Sequence, residues 1–135
     1  DRIPEFIRKR RQNFARLYKG LETYQEHLIL PTYDPRSCPS WFAFPITVNG
    51  IERSSLIHTL ESANIETREL FGGNILRQPG YQHIKHRVFG PLEKSDRVMR
   101  DTFFIGVYPG LTEEIIDFIL SIFRKFFEDK ENYAI

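Results

Sequence analysis

The sequence predicts an α/β (α+β) two-layer sandwich, a small mixed sheet covered by helices, and three observations carry that expectation. Two runs rich in aromatic and β-branched residues, Trp41 to Val48 and Thr102 to Tyr108, have the composition of strands. Around them, apolar residues recur at three- and four-residue steps, the spacing of a helical stripe. The elements then read helix, strand, helix, strand, helix, strand, helix, an order in which helices are available to cover a sheet. At 135 residues the chain is expected to be one domain, residues 1–135.

The first helix is predicted from Pro4 to about Tyr24. Ile3, Phe6, Ile7, Phe14, Leu17, Tyr18 and Leu21 make its apolar stripe, Pro4 suits a first turn, and Gly20 weakens the last. The segment LILPTYDPRSCPS is read as irregular chain, from its prolines and aspartate. WFAFPITV follows as a strand, with Pro45 marking an edge or a bulge. A second helix is predicted over Glu52 to Ala63, from Leu56, Ile57 and Leu60, with Asn64 closing it in a left-handed conformation. IETREL is a short strand and LEKSDRVMRD a short helix. After the strand at Thr102 to Tyr108, Pro109-Gly110 makes a break. Thr112 then caps a last helix whose Glu113 and Glu114 suit its positive end. Ile115, Ile116, Ile119, Ile122, Phe123, Phe126 and Phe127 are expected to form its buried face.

Composition narrows the function classes. With 41% hydrophobic and 14% aromatic residues the chain can bury enough surface to fold. Its formal charge of +1 advertises neither a nucleic-acid nor a membrane partner, and the basic run RKRR at Arg8 to Arg11 reads as a solvated helix face. Cys38 is the single cysteine, which excludes an internal disulfide and any multi-cysteine metal site and fits a reducing, cytoplasmic setting. His83 and His86 lack metal-ligand spacing, and no serine or cysteine has the surroundings of a nucleophile, so no metal and no catalytic residue is assigned. The absence of an initiator Met suggests a chain that begins partway through a longer one.

One stretch stands out, ETRELFGGNILRQPGY over Glu66 to Tyr81. Glu66 and Arg68 are two apart on a strand, so they share a face. Together they can present a carboxylate and a guanidinium to a ligand carrying hydroxyls and phosphate, or they can form a surface ion pair. Gly72-Gly73-Asn74 is either a tight turn or a ligand contact, and Arg77 flanks it.

ANIETRELFGGNILRQPGY, together with DRVMRDTFFIGVYPGLTEEIIDFI and, in support, WFAFPITV, resembles the C-terminal domain of the PLP/PMP-dependent nucleotide-sugar 3-dehydrases. The likeness is to the CDP-4-keto-6-deoxyglucose 3-dehydrase type within the DegT/StrS aminotransferase superfamily, and it runs from about Pro4 to Phe127. It implies the small domain of a fold-type I PLP-dependent transferase, with the cofactor-binding large domain upstream and an inactive isolated fragment. The implied reaction removes the 3-hydroxyl of a nucleotide-linked 4-keto-6-deoxy sugar, in deoxysugar and O-antigen biosynthesis. A histidine of the large domain replaces the usual Schiff-base lysine. Glu66 and Arg68 match the family's Glu-x-Arg that reaches the sugar nucleotide, and Asn74 and Arg77 join them as substrate-binding candidates. Pyridoxal or pyridoxamine phosphate, and in one branch an iron–sulfur cluster fed by a flavin reductase, are expected in the full-length homodimer and not on this chain. GVYPGLTEE resembles the cluster-bearing branch. A sugar aminotransferase sharing this small domain and a free-standing binding module are the other classes.

Overall fold

The computed structural model describes residues 2–133. Helix α1 (Ile3–Leu21) runs into a short 3₁₀ turn and a two-residue strand, β1 (Leu28–Ile29). Strand β2 (Ala43–Val48), helix α2 (Arg53–Ser62) and strand β3 (Thr67–Glu69) follow. Two 3₁₀ turns at Ile75–Arg77 and Pro79–Tyr81 lead to helix α3 (Glu93–Asp101), strand β4 (Thr102–Gly106) and helix α4 (Glu113–Tyr133).

The strands order β1-β2-β4-β3 and every pairing is antiparallel. The two-layer arrangement agrees with the sequence, but the expected mixed sheet is corrected to an antiparallel one. Element order alone left strand direction open. Strand β1, in the stretch read as irregular, pairs through Leu28 opposite Val48 and Ile29 opposite Thr47. Its stop explains Pro45. Val107 N–H donates to Phe42 O, and Phe42, Phe44 and Ile46 share one parity along β2. Pro45 therefore falls at a non-hydrogen-bonded position toward β4. Its missing N–H faces the other side, beyond the end of β1, so no ladder bond is lost there.

Alternation along β2 and β4 makes one face apolar and sealed. Phe44, Ile46, Phe103 and Ile105 are buried with Phe14, Leu17 and Leu21 of α1, Leu56 and Leu60 of α2, and Ile116, Ile119 and Phe123 of α4. The stripes predicted on α1 and α4 are only partly covered. Ile3, Phe6 and Ile115 stay exposed, because the period of a pattern marks a face without supplying what covers it. Asn64 adopts the expected left-handed conformation, φ +59°, and Ile65 N–H returns to Leu60 O at 3.0 Å.

Helices α1 and α4 are latched at the surface by Arg16, which donates to Glu113 and, at 2.8 and 2.9 Å, to both carboxylate oxygens of Asp117. Their close approach depends on Gly20. A Cβ built there would lie 2.5 Å from both Leu120 methyls and 3.0 Å from Leu120 Cγ. The glycine that weakens α1 locally is what lets the two helices meet.

Gly20→Ala is therefore expected to destabilise the fold although alanine is the better helix former. The propensity gain is about 0.5–1 kcal/mol, and overpacking a core costs about 1–3 kcal/mol. A lower urea midpoint at unchanged m-value is the expected result; a raised midpoint would show that Leu120 simply turns aside.

Candidate functional site

The register of β3 on β4 decides where the opening charges point. Arg68 lies opposite Phe104, and Phe104 lies opposite Pro45 on β2. Residues opposite one another share a face, and Phe104 alternates with the buried Phe103 and Ile105. Arg68 and, two residues earlier, Glu66 thus stand on the open face, away from the helices. Arg68 Nη2 donates to Glu66 Oε1, with side chains 66% and 75% exposed. Glu69, at the opposite parity, turns to the helix side and meets Arg53 of α2 at 3.2 Å.

Arg53 is a residue whose role the sequence did not reveal. Its Nη1 donates to Met99 O at 3.2 Å and Thr102 O at 3.0 Å, the carbonyls where α3 gives way to β4. A half-buried guanidinium satisfies the end of one helix and, through Glu69, ties β3 to α2. No local pattern signals it, because its partners are 16 to 49 residues away.

Asn74 and Arg77 are placed differently from Glu66 and Arg68. Asn74 is only 4% exposed. Its Nδ2 donates to Asp96 Oδ1 at 2.7 Å, and its Oδ1 accepts from Leu76 N–H at 3.2 Å, capping the turn at Ile75–Arg77. Arg77 clasps the same carboxylate with Nε to Oδ1 at 3.0 Å and Nη2 to Oδ2 at 2.9 Å. Both side chains fasten the loop to α3. Asp96 sits at the positive end of α3, and the Arg77 guanidinium, then the Asn74 amide, lower its pKa from 3.8 to about 2.

The glycine pair has an internal reason on one side only. Gly73 has φ +59°, and a Cβ there would lie 2.7 Å from Met99 Cβ and 3.0 Å from Met99 Cα, so the loop passes against α3 where only glycine fits. Gly72 has neither constraint, and its carbonyl accepts from Gln78 Nε2 at 2.7 Å, closing the loop on itself.

The site is a surface and not an enclosed pocket. The clefts of about 980 Å³ beside His27 and His58, about 820 Å³ beside Arg16 and Pro109, and about 770 Å³ beside Tyr18 and Trp41 include none of Glu66, Arg68, Asn74 or Arg77. His27 stacks on Phe127 with ring centres 5.6 Å apart. Among the described residues no group of three or more His, Cys, Asp or Glu is arranged to hold a metal ion, and no helix is long and apolar enough to cross a membrane.

Residues 1–124 match the family described as the DegT/DnrJ/EryC1/StrS aminotransferase family. Over 130 residues the chain is 46% identical to the lipopolysaccharide biosynthesis protein RfbH of Salmonella typhimurium, covering 94% of this chain and 30% of that one. Over 129 residues it is 43% identical to the dTDP-4-dehydro-2,6-dideoxy-D-glucose 3-dehydratase of Saccharopolyspora spinosa, covering 93% and 28%. The solved structure of the E. coli GDP-4-keto-6-deoxy-D-mannose-3-dehydratase with bound hydrated PLP superimposes with a TM-score of 0.80 at 22% identity, over 90% of this chain and 31% of that one. The chain thus spans about 30% of the length of the relatives it matches.

The Asp96 clasp generates a pH prediction. Its pKa is lower in the folded state than its ordinary value, so its stabilising effect is fully present above about pH 4 and is lost as pH falls through about 2. The Arg77 Nε–H resonance is expected to move to its free position across that window, and Asp96→Asn to place it there already at neutral pH. A resonance that ignores both changes would show that the clasp does not hold the loop.

Proposed function

Because the chain belongs to the DegT/DnrJ/EryC1/StrS aminotransferase family, we propose that it is the C-terminal small domain of a longer PLP/PMP-dependent 3-dehydratase acting on a nucleotide-linked 4-keto-6-deoxy sugar. Identities of 46% and 43% to a lipopolysaccharide biosynthesis protein and a sugar-nucleotide 3-dehydratase support this over the transamination that the family name suggests. The shared fold does not choose between the two chemistries.

The observation that carries the reading is the Glu66–Arg68 pair on the open sheet face. Among the described residues each is paired with the other and with nothing else that fixes the chain, unlike Arg53, Arg16 or Arg77. Arg68 brings a planar fork of donors suited to phosphate or hydroxyl oxygens, and Glu66 accepts from hydroxyls. Phe104 stands directly opposite Arg68 and gives the pair an apolar neighbour on one side. Asn74, Arg77 and Asp96 hold the following loop at a set distance from that pair. In this reading they position the site, and Glu66 and Arg68 touch the substrate.

The cofactor does not fit the residues of this chain. Helices α1, α3 and α4 carry Glu5, Glu93 with Asp96, and Glu113 with Glu114 in their first turns, and Glu52 precedes α2. Those carboxylates occupy the positive helix ends where a cofactor phosphate would bind. We therefore assign the cofactor, with any iron–sulfur cluster and its flavin reductase, to the rest of the protein and its homodimer. The chain's own contribution is binding and orientation of the sugar nucleotide.

In the full-length enzyme, Arg68→Ala is expected to lower kcat/KM for the sugar nucleotide by one to two powers of ten. That corresponds to about 1.5–3 kcal/mol for a hydrogen bond to a charged group. Thermal stability should barely move, since an exposed ion pair is worth at most about 1 kcal/mol. Unchanged turnover with lowered stability would make Arg68 a structural brace and remove the main support for the reading.

A further inference from the structure

Three aromatic rings, Phe42, Phe71 and Phe104, gather beside the Glu66–Arg68 pair. Phe104, half-buried, stands in the row with Pro45 and Arg68. Phe42, at a bend just before β2, meets it edge-on with ring centres 6.2 Å apart, and Phe71 meets it at 6.4 Å. Phe71 is 77% exposed and Phe42 59%. Large apolar rings gathered on one exposed face beside a charged pair mark a binding surface more often than an accident of folding.

Phe71 is also held in a conformation that a side chain of its bulk rarely takes, with φ +51°. The surrounding loop enforces it. Phe71 N–H donates to Glu69 O at 2.8 Å, Gly73 N–H to Leu70 O at 3.3 Å, and the loop is closed behind by Gln78 and fastened to α3 by Asn74 and Arg77. The result is an exposed ring set at a fixed position beside Phe104.

We infer that Phe71, with Phe104 and Phe42, is a stacking platform for the nucleobase of the sugar nucleotide, leaving Arg68 beside it for the diphosphate. The inference rests on the nucleotide-sugar reading proposed above. Charge complementarity supports it, because Arg68 is the residue directly across from Phe104, with about 5 Å between the Cβ atoms of facing residues. Base chemistry supports it as well. Two of the relatives are named for dTDP- and GDP-linked sugars, one a pyrimidine and one a purine. An aromatic face accepts either, since every base offers a π-surface.

The test titrates the full-length enzyme calorimetrically with two probes, a nucleoside diphosphate and the base-free ribose 5-diphosphate. Phe71→Leu keeps apolar bulk and removes the ring; it is expected to weaken nucleoside diphosphate binding by about tenfold or more. Binding of the base-free probe should stay unchanged, and so should the unfolding temperature. Equal loss for both probes would mean that Phe71 packs against the rest of the protein, and no loss for either would mean that the base lies elsewhere; each overturns the platform while leaving the nucleotide-sugar reading intact. An unsubstituted enzyme that binds neither probe would overturn that reading itself.

Discussion

Everything else in this molecule depends on the antiparallel pairing of β2 with β4. That ladder alternates side chains between a face sealed by α1, α2 and α4 and an opposite face whose Phe104 lies outside that core. Phe44, Ile46, Phe103 and Ile105 go inward and drive folding, because removing apolar surface from water is the largest favourable term available. Pro45, Thr47, Thr102 and Phe104 go outward, joined by the hydrogen bond between the Thr47 and Thr102 hydroxyls at 2.7 Å. Strand β3 then inherits its parity from β4, and with it the side of the sheet on which Arg68 stands. A slip of one residue would exchange Arg68 for Glu69 and dismantle both the open-face pair and the Arg53 tie.

The second constraint is the fastening of the loop after β3 to α3. Gly73 allows the approach, and Asn74 and Arg77 converge on Asp96 from the loop side. A short turn could have linked β3 onward with less chemistry. This one holds Phe71 in place beside the sheet, so the loop's stability and the presentation of the ring are set by the same few contacts. The division of labour among the arginines follows from their partners: Arg16, Arg53 and Arg77 join separate elements, whereas Arg68, among the described residues, is tied only to its neighbour two residues away.

Helices α1, α2 and α4 and the strands β2 and β4 were legible in the sequence, because their apolar residues repeat with the period of the element. Asn64 was legible for a different reason, the tolerance of asparagine for the left-handed region at a helix end. What stayed hidden is long-range. Strand β1 is defined by its pairing with β2, Arg53 and Asp96 act on groups far along the chain, and the value of Gly20 is visible only once Leu120 lies against it. At the site, sequence identified Glu66 and Arg68 as a pair sharing a face. It grouped them with Asn74 and Arg77, whose Nδ2 and guanidinium donate to Asp96 in the structure. Nor did it mark Phe42, Phe71 and Phe104 as neighbours, since strand composition makes aromatic residues unremarkable.

The central claim is that the open face of the sheet, and not the clefts on the helix side, meets the sugar nucleotide. Hydrogen exchange of the full-length enzyme with and without the sugar nucleotide tests it most directly, because β3 lies at the edge of the sheet. Binding at the open face predicts slower exchange across residues 66–73 and little change around His27 and His58. Slower exchange confined to the helix-side cleft, with residues 66–73 unaltered, would contradict it.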